Sequence, residues 1–337
     1  MSYELAVKFL RPPAGITPTR VELAARCYRR HCLSDLVHLK PLGDGKDPNL
    51  AFGDMAHQST AVFWRECTDA EGWELGGSGR AMAYGKVMQF IGDTWPKVWE
   101  DVVAKTNQEY MTIELLGMLM EEYTKNARVG GDFPGHWRIV ETEQRRKAEL
   151  AGLIPLQVFY QIDRLIQNEE GDYGIFDTKT ASSLSPMWRR TQEQSIQQRI
   201  YKALEEQRLG KEIRYSAIEG VAKKQAAGMI EYVWLNMNWD KDFVNEALLQ
   251  AKSQASKDDR LLLQAHMDYS GDDPRLLWMA ALNRILTDPT TVEFNTQDCQ
   301  SFFKGCEYES LCFSNPSERE GIALGDFQLL VKDYRNV

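Results

Sequence analysis

The sequence predicts an α/β fold, and three observations carry that prediction. Five short β-prone runs fall between positions 137 and 235, segments of helical periodicity stand before, between and after them, and the 337-residue chain is 43% hydrophobic, ample for a core.

After a Pro/Gly-rich entry at 11–18, residues 19–39 show helical periodicity through Val21, Leu23, Ala24, Cys27 and Leu36, with Thr17 or Thr19 as cap. Residues 52–67 read as a second helix. The glycine-rich run 72–79 lacks the lysine and the preceding strand of a phosphate-binding loop, so it reads as a flexible connection. Mostly helical sequence continues to Lys125. Trp95-Pro96 marks a break in it, and a core-packing stripe runs through Met111, Leu115, Met118 and Met120.

Residues 137–143 alternate apolar and polar and give the first strand, which carries Glu141 and Glu143. The runs 158–166 and 173–178 then flank a polar turn, 167–172, and form a hairpin. A helix at 188–209 buries Ile196, Ile200, Ala203 and Leu204. Strands at 213–221 and 229–235 flank Lys223-Lys224, and helices at 240–266 and 273–285 follow.

The hairpin is where chemistry concentrates. If it is centred on Glu170, Asp163 stands opposite Asp177, and Lys179 shares their face because strand side chains repeat every two residues. Carboxylates opposed across a ladder repel, so something must offset them. A divalent cation does so, and oxygen-rich, partly hydrated coordination suits Mg²⁺ or Mn²⁺. A nearby lysine suits phosphate chemistry. The same residues also fit an amphipathic hairpin with solvated acids on its outer face.

Composition narrows the classes. The net charge is −9, so there is no global electrostatic case for nucleic acid, and any such binding must come from local basic clusters. No run of about 18 apolar residues and no signal-peptide pattern occur, so the expectation is a cytoplasmic protein without a membrane partner. The six cysteines are then thiols or metal ligands rather than disulfides.

Asp163 followed by Asp177-Thr178-Lys179 resembles the core of the PD-(D/E)XK nucleases, specifically the RecB-like branch, with its "GxID" strand and "IxDxKT" strand. Gln161 stands where glycine is usual. Gly53-Asp54-Met55-Ala56-His57 matches the branch's "GxxxH" motif, and Gln197 and Tyr201 match its "QxxxY", eighteen residues after the lysine. Cys27-Tyr28-Arg29-Arg30-His31-Cys32-Leu33 resembles the "CPxxFxL" element of the iron-sulfur members, which include AddB-type and CRISPR-associated exonucleases. Cys306 to Cys312 resembles their "CxYxxLC" ending, and the wider gap from Cys299 to Cys306 is like that of phage-type members.

The resemblance implies one nuclease domain over 1–337, with an N-terminal helical part at 17–128, a core at about 130–235 and a helical and cysteine segment at 240–315. Its centre is a mixed sheet of about five strands flanked by helices, with a helical insertion after His57. His57, Asp163, Asp177 and the Thr178 carbonyl would hold Mg²⁺ or Mn²⁺, Lys179 would orient the water, and Gln197 and Tyr201 would position substrate. Cys27, Cys299, Cys306 and Cys312 would carry a 4Fe-4S cluster that staples the chain's ends, with Zn²⁺ as the alternative occupant. The implied activity is metal-dependent DNA cleavage, exonucleolytic on ends or single strands, with a helicase or annealing protein as a partner. Arg29, Arg30, Trp188, Arg189 and Arg190 are candidates to grip phosphates or stack on a base, or else form solvated helix faces. The competing class is a non-catalytic DNA- or partner-binding module with the same fold and a structural metal staple.

Overall fold

The computed structural model describes residues 17–37, 39–41, 48–100, 112–150, 156–224, 229–269, 274–287, 292, 306, 308–314, 318, 322 and 327–329. Among them a five-stranded sheet runs in the spatial order of the sequence: β1 (Trp137–Leu150), β2 (Leu156–Asn168), β3 (Tyr173–Ala181), β4 (Ile213–Lys224) and β5 (Met229–Asn236). β2 and β3 pair antiparallel, β3 and β4 parallel, and β4 and β5 antiparallel, so the sheet is mixed, as expected. The parallel join needs a crossover, and two helices supply it.

The helices in chain order are α1 (Pro18–Arg26), α2 (Tyr28–His31), α3 (Pro48–Cys67), α4 (Gly77–Val98), α5 (Ile113–Asn126), α6 (Pro186–Glu193), α7 (Ile196–Leu209), α8 (Lys241–Asp268), α9 (Pro274–Thr287) and the short α10 (Glu309–Phe313). Two segments expected to be single helices are broken. Cys27 adopts an extended backbone between α1, capped by Thr17, and α2. α6 ends at Glu193 with Gln194 as its C-cap, and Ser195 caps α7, its hydroxyl accepting from the Gln198 N–H, while Gly210 closes α7 at φ +63°. Conversely, α4 continues through Pro96 to Val98, although proline has no N–H to give to the hydrogen-bond ladder.

The chain divides into two compact units. One comprises Met1–Asp44, Lys147–Tyr160 and Asn245–Val337; the other comprises Gly45–Arg146 and Gln161–Val244. In the second, one face of the sheet packs Ile166, Phe176, Ala217 and Val221 against α3, α4 and α5. The buried side of α5 is Leu116, Leu119, Met120 and Tyr123. Met118 is exposed, so the expected methionine stripe is out of phase there, and Met111 lies outside the described residues. On the opposite face Ile218, Met237, Trp239 and Val244 pack with Trp188 and Ala203.

The first unit has its own core, in which Tyr28, Cys32, Leu33 and Leu36 meet Leu261, Leu262 and Ala265 of α8 and Leu277, Ala281 and Ile285 of α9. Inside it the buried Asp258 accepts hydrogen bonds from the Tyr28 hydroxyl at 3.1 Å and Gln254 Nε2 at 2.8 Å, and faces His31 Nε2 at 3.2 Å. No helix among the described residues is long and apolar enough to cross a membrane.

Candidate metal centre

The β2–β3 hairpin turns where the sequence places it. Asn168 and Asp172 close the loop with a backbone bond of 3.0 Å, the Asn168 side-chain oxygen accepts from the Asp172 N–H at 2.7 Å, and Gly171 takes φ +85°. Pairing from Gln167↔Tyr173 to Arg164↔Phe176 is symmetric about Glu170, the register expected to bring Asp163 to the level of Asp177. The ladder ends at Arg164↔Phe176. Beyond it the Thr178 N–H donates at 2.6 Å to the Asp163 carboxylate, which takes the place of a strand carbonyl.

Around these acids the other groups gather. His57, in the third turn of α3, holds Nδ1 3.3 Å from Asp163 Oδ2, and Lys179 Nζ lies 2.6 Å from Asp177 Oδ2. Gln197 Nε2 donates to the Tyr201 hydroxyl at 2.7 Å on α7. Tyr201 is buried within the fields of Asp177 and Lys179, which ties the "QxxxY" pair to this centre.

Of the two glutamates on the first strand, the structure brings Glu143 to the centre. Its φ of +50° is the one positive value at a non-glycine residue among the described residues. Glu141 and Arg146, five apart, would point to opposite faces of a regular strand, yet they form an ion pair, and Arg146 also reaches the buried Glu205 of α7 at 2.8 Å. β1 is therefore irregular at Glu143, and the irregularity aims the Glu143 carboxylate at Asp163. Ligand atoms of His57, Glu143 and Asp163 all lie within 4.8 Å of one another, and among the described residues this is the one such group of three or more potential metal-binding side chains. Asp177 stands beside it, engaged by Lys179. Gln161, where glycine is usual, donates to Glu143.

The electrostatics record crowded negative charge. Burial, and next the Asp163 charge, push the Glu143 carboxyl up to about 7. Burial and the proximity of Asp163 likewise raise Asp177, against the pull of Lys179. Burial works against ionised Asp163, but the His57 charge, Lys179 and the Thr178 N–H outweigh it and lower its pKa. Burial acts to lower His57, yet the Asp163 charge and hydrogen bond carry it to about 9. Lys179 is raised despite its burial, by Asp177 and Asp163. Three carboxylates and an imidazole in a space this small make a donor set that fits a hard divalent cation, whose charge would offset the repulsion.

The remaining candidates are spread more widely. Trp188 is half-buried against the Ile218 cluster, while Arg189 and Arg190 are exposed. Arg199 of α7 is buried and donates to the carbonyls of Gln194, Ser195 and Phe243, so it is not available to a phosphate. Arg29 is buried and Arg30 half-buried in the first unit. That unit also contains the cysteines Cys27, Cys306 and Cys312, the first and last buried; Cys299 lies outside the described residues. Cys32 and Cys67 are fully buried.

A family profile described as the PD-(D/E)XK nuclease superfamily matches residues 15–313. The chain belongs to the PD-(D/E)XK nuclease superfamily. Membership implies a metal-dependent phosphodiesterase. The solved structure of SSO0001 is 14% identical, covers 74% of this chain and 81% of its own, and superposes with a TM-score of 0.31, too slight a likeness to carry an inference. Comparison with curated proteins finds no match. Within the PD-(D/E)XK reading, Glu143 is the participant that sequence alone leaves undecided. It stands on the first strand, but no glycine or proline marks the irregularity that aims it.

Proposed function

We propose that this PD-(D/E)XK chain is a Mg²⁺- or Mn²⁺-dependent deoxyribonuclease of the RecB-like branch, acting exonucleolytically on DNA ends or single strands. The observation that carries the reading is the convergence of His57, Glu143 and Asp163 beside the Asp177–Lys179 pair. His57, Glu143, Asp163, Asp177 and the Thr178 carbonyl would hold the ion. When bound there, a divalent cation supplies charge stabilisation at the phosphate and a more acidic water.

The protein's own groups do the rest. Lys179, kept protonated by Asp177 and Asp163, is a fixed positive charge at which negative charge develops on a phosphate oxygen. Gln197, donating to Tyr201, holds the tyrosine beside Asp177 and Lys179 to help position substrate. Arg189 and Arg190 at the exposed end of α6 offer phosphate contacts that position a strand without reading its sequence.

The iron-sulfur assignment is part of the proposal. It rests on the cysteine motifs and on the location of Cys27, Cys306 and Cys312 in one unit, with two of the three buried. Thiolates from both ends of the chain would make the cluster a staple of that unit. A helicase or annealing protein that delivers single strands is the partner this activity calls for.

The test is digestion of 5′- and 3′-labelled single- and double-stranded DNA by anaerobically purified protein, with Mn²⁺ and with chelator. Shortening that needs the metal and starts from one labelled end supports the reading. Intact DNA bound by the protein under both conditions would instead make it a binding module.

A further inference from the structure

Directly behind the metal centre, on the other face of the sheet, lies a second cluster of charged and polar groups that the nuclease chemistry does not use. Its hub is Glu219 of β4, fully buried. One carboxylate oxygen accepts from Arg164, from the Tyr123 hydroxyl at 2.9 Å and from Thr178 Oγ1 at 3.2 Å; the other accepts from the Tyr232 hydroxyl at 2.9 Å. The Arg164 guanidinium, itself buried, lies 4.5 Å from the Trp64 ring centroid and 4.7 Å from that of Phe176. Trp64 donates to the Tyr123 hydroxyl at 2.7 Å. Every polar group in this chain of contacts converges on one carboxylate.

What matters is which elements the hub grips. Arg164 follows Asp163 on β2, and strand alternation sends the two side chains to opposite faces. Thr178 pairs with Glu219 in the parallel register, its N–H holding Asp163 and its hydroxyl holding Glu219. Trp64 lies seven residues beyond His57, two turns along the same side of α3. So β2 and β3 are tied to Glu219 through residues adjacent to the acids they bring to the metal centre, and α3 is tied to it through Trp64 by way of Tyr123. An amphipathic sheet does not need a buried carboxylate there, since the surrounding face is apolar.

We propose that Glu219, acting with Arg164, is a positioning residue for the metal centre: from the far face of the sheet it sets the spacing of Asp163, Thr178 and His57. It touches neither ion nor substrate. The proposal rests on the metal-centre reading above, and the experiment separates the two. Mn²⁺ binding to the full-length metal-free protein is measured without DNA, by calorimetry and by the electron paramagnetic resonance of free Mn²⁺, for wild type, Glu219→Gln and Thr178→Val.

Glu219→Gln keeps the shape of the hub and removes its charge; Thr178→Val keeps backbone and volume and cuts only the bond from β3 to Glu219. Loss of groups that orient metal ligands ordinarily weakens binding about 10–100-fold. Glu219→Gln is expected to fall in that range and Thr178→Val to weaken binding several-fold, with circular dichroism unchanged. Should Glu219→Gln not fold, Thr178→Val decides alone. Folded variants that bind Mn²⁺ as wild type does would overturn the positioning role while leaving the metal centre intact. A wild type that binds no Mn²⁺ would overturn both.

Discussion

Replacing His31 by glutamine should flatten the pH dependence of stability in a definite window. His31 is buried, its Nε2 3.2 Å from Asp258 and its Nδ1 3.4 Å from Asp35, which Arg20 also contacts at 3.0 Å. Burial works to lower the imidazole pKa, but the hydrogen bond and charge of Asp258, then those of Asp35, raise it from 6.5 to about 9. Asp35 is correspondingly held down at about 2, against its own burial, by His31 and Arg20. Because the folded value lies above the unfolded one, the stabilisation is complete below about pH 6.5 and is lost as the pH rises through about 9. Two and a half pH units at about 1.4 kcal/mol each give about 3 kcal/mol. Urea unfolding followed by circular dichroism from pH 6 to 9.5 should show wild type losing about 1.4 kcal/mol per pH unit relative to His31→Gln. The two curves should meet near the top of the range. Parallel curves would mean that the imidazole holds its proton no more tightly in the folded than in the unfolded protein, and the account of this pair would fail.

Asp177→Ala and Lys179→Ala should each abolish Mg²⁺-dependent DNA degradation with the fold retained, as read by gel assay and circular dichroism; activity like that of wild type in either rejects the catalytic assignment. Glu143→Gln should weaken Mn²⁺ binding by about tenfold or more, since it takes one charge from the group around Asp163, and unchanged calorimetric affinity would remove Glu143 from the centre. Gly131→Ala should destabilise by about 2–4 kcal/mol, because a Cβ there meets the Trp234 ring at 2.1 Å with φ at +55°; Gly171→Ala, at φ +85° in open space, should cost only about 1–2 kcal/mol. Chemical denaturation of the pair measures the difference. Anaerobically purified protein should absorb broadly near about 400 nm, the mark of a cubane held by thiolates; a colourless protein with stoichiometric zinc would replace iron by zinc in the proposal.

The hairpin register was legible in the sequence because two local rules agreed: a polar turn with glycine, and side-chain alternation on either side of it. His57, the Asp177-Thr178-Lys179 run and the Gln197–Tyr201 pair were legible as ordered motifs, and the structure brings them together around Asp163. Glu143 was not, because its orientation depends on a strand irregularity held by Arg146, Glu141 and Glu205, residues far apart in the chain. Glu219 was less legible still: in sequence it is one acid in a strand, and only the sheet shows four donors meeting it. Helix breaks at Cys27 and Ser195 escaped because apolar spacing on either side stays in phase with a continuous helix.

The parallel join between β3 and β4 has an outcome that reaches beyond sheet topology. A chain that leaves one strand and must enter its neighbour heading the same way has to travel back the length of the sheet, and it does so here as α6 and α7. The return path begins only a few residues after Lys179, so it lays Tyr201 alongside the lysine it has just left. Strand polarity thus gives Lys179 its helical companion; had the two strands run antiparallel, a short turn would have sufficed and no helix need have returned past the lysine.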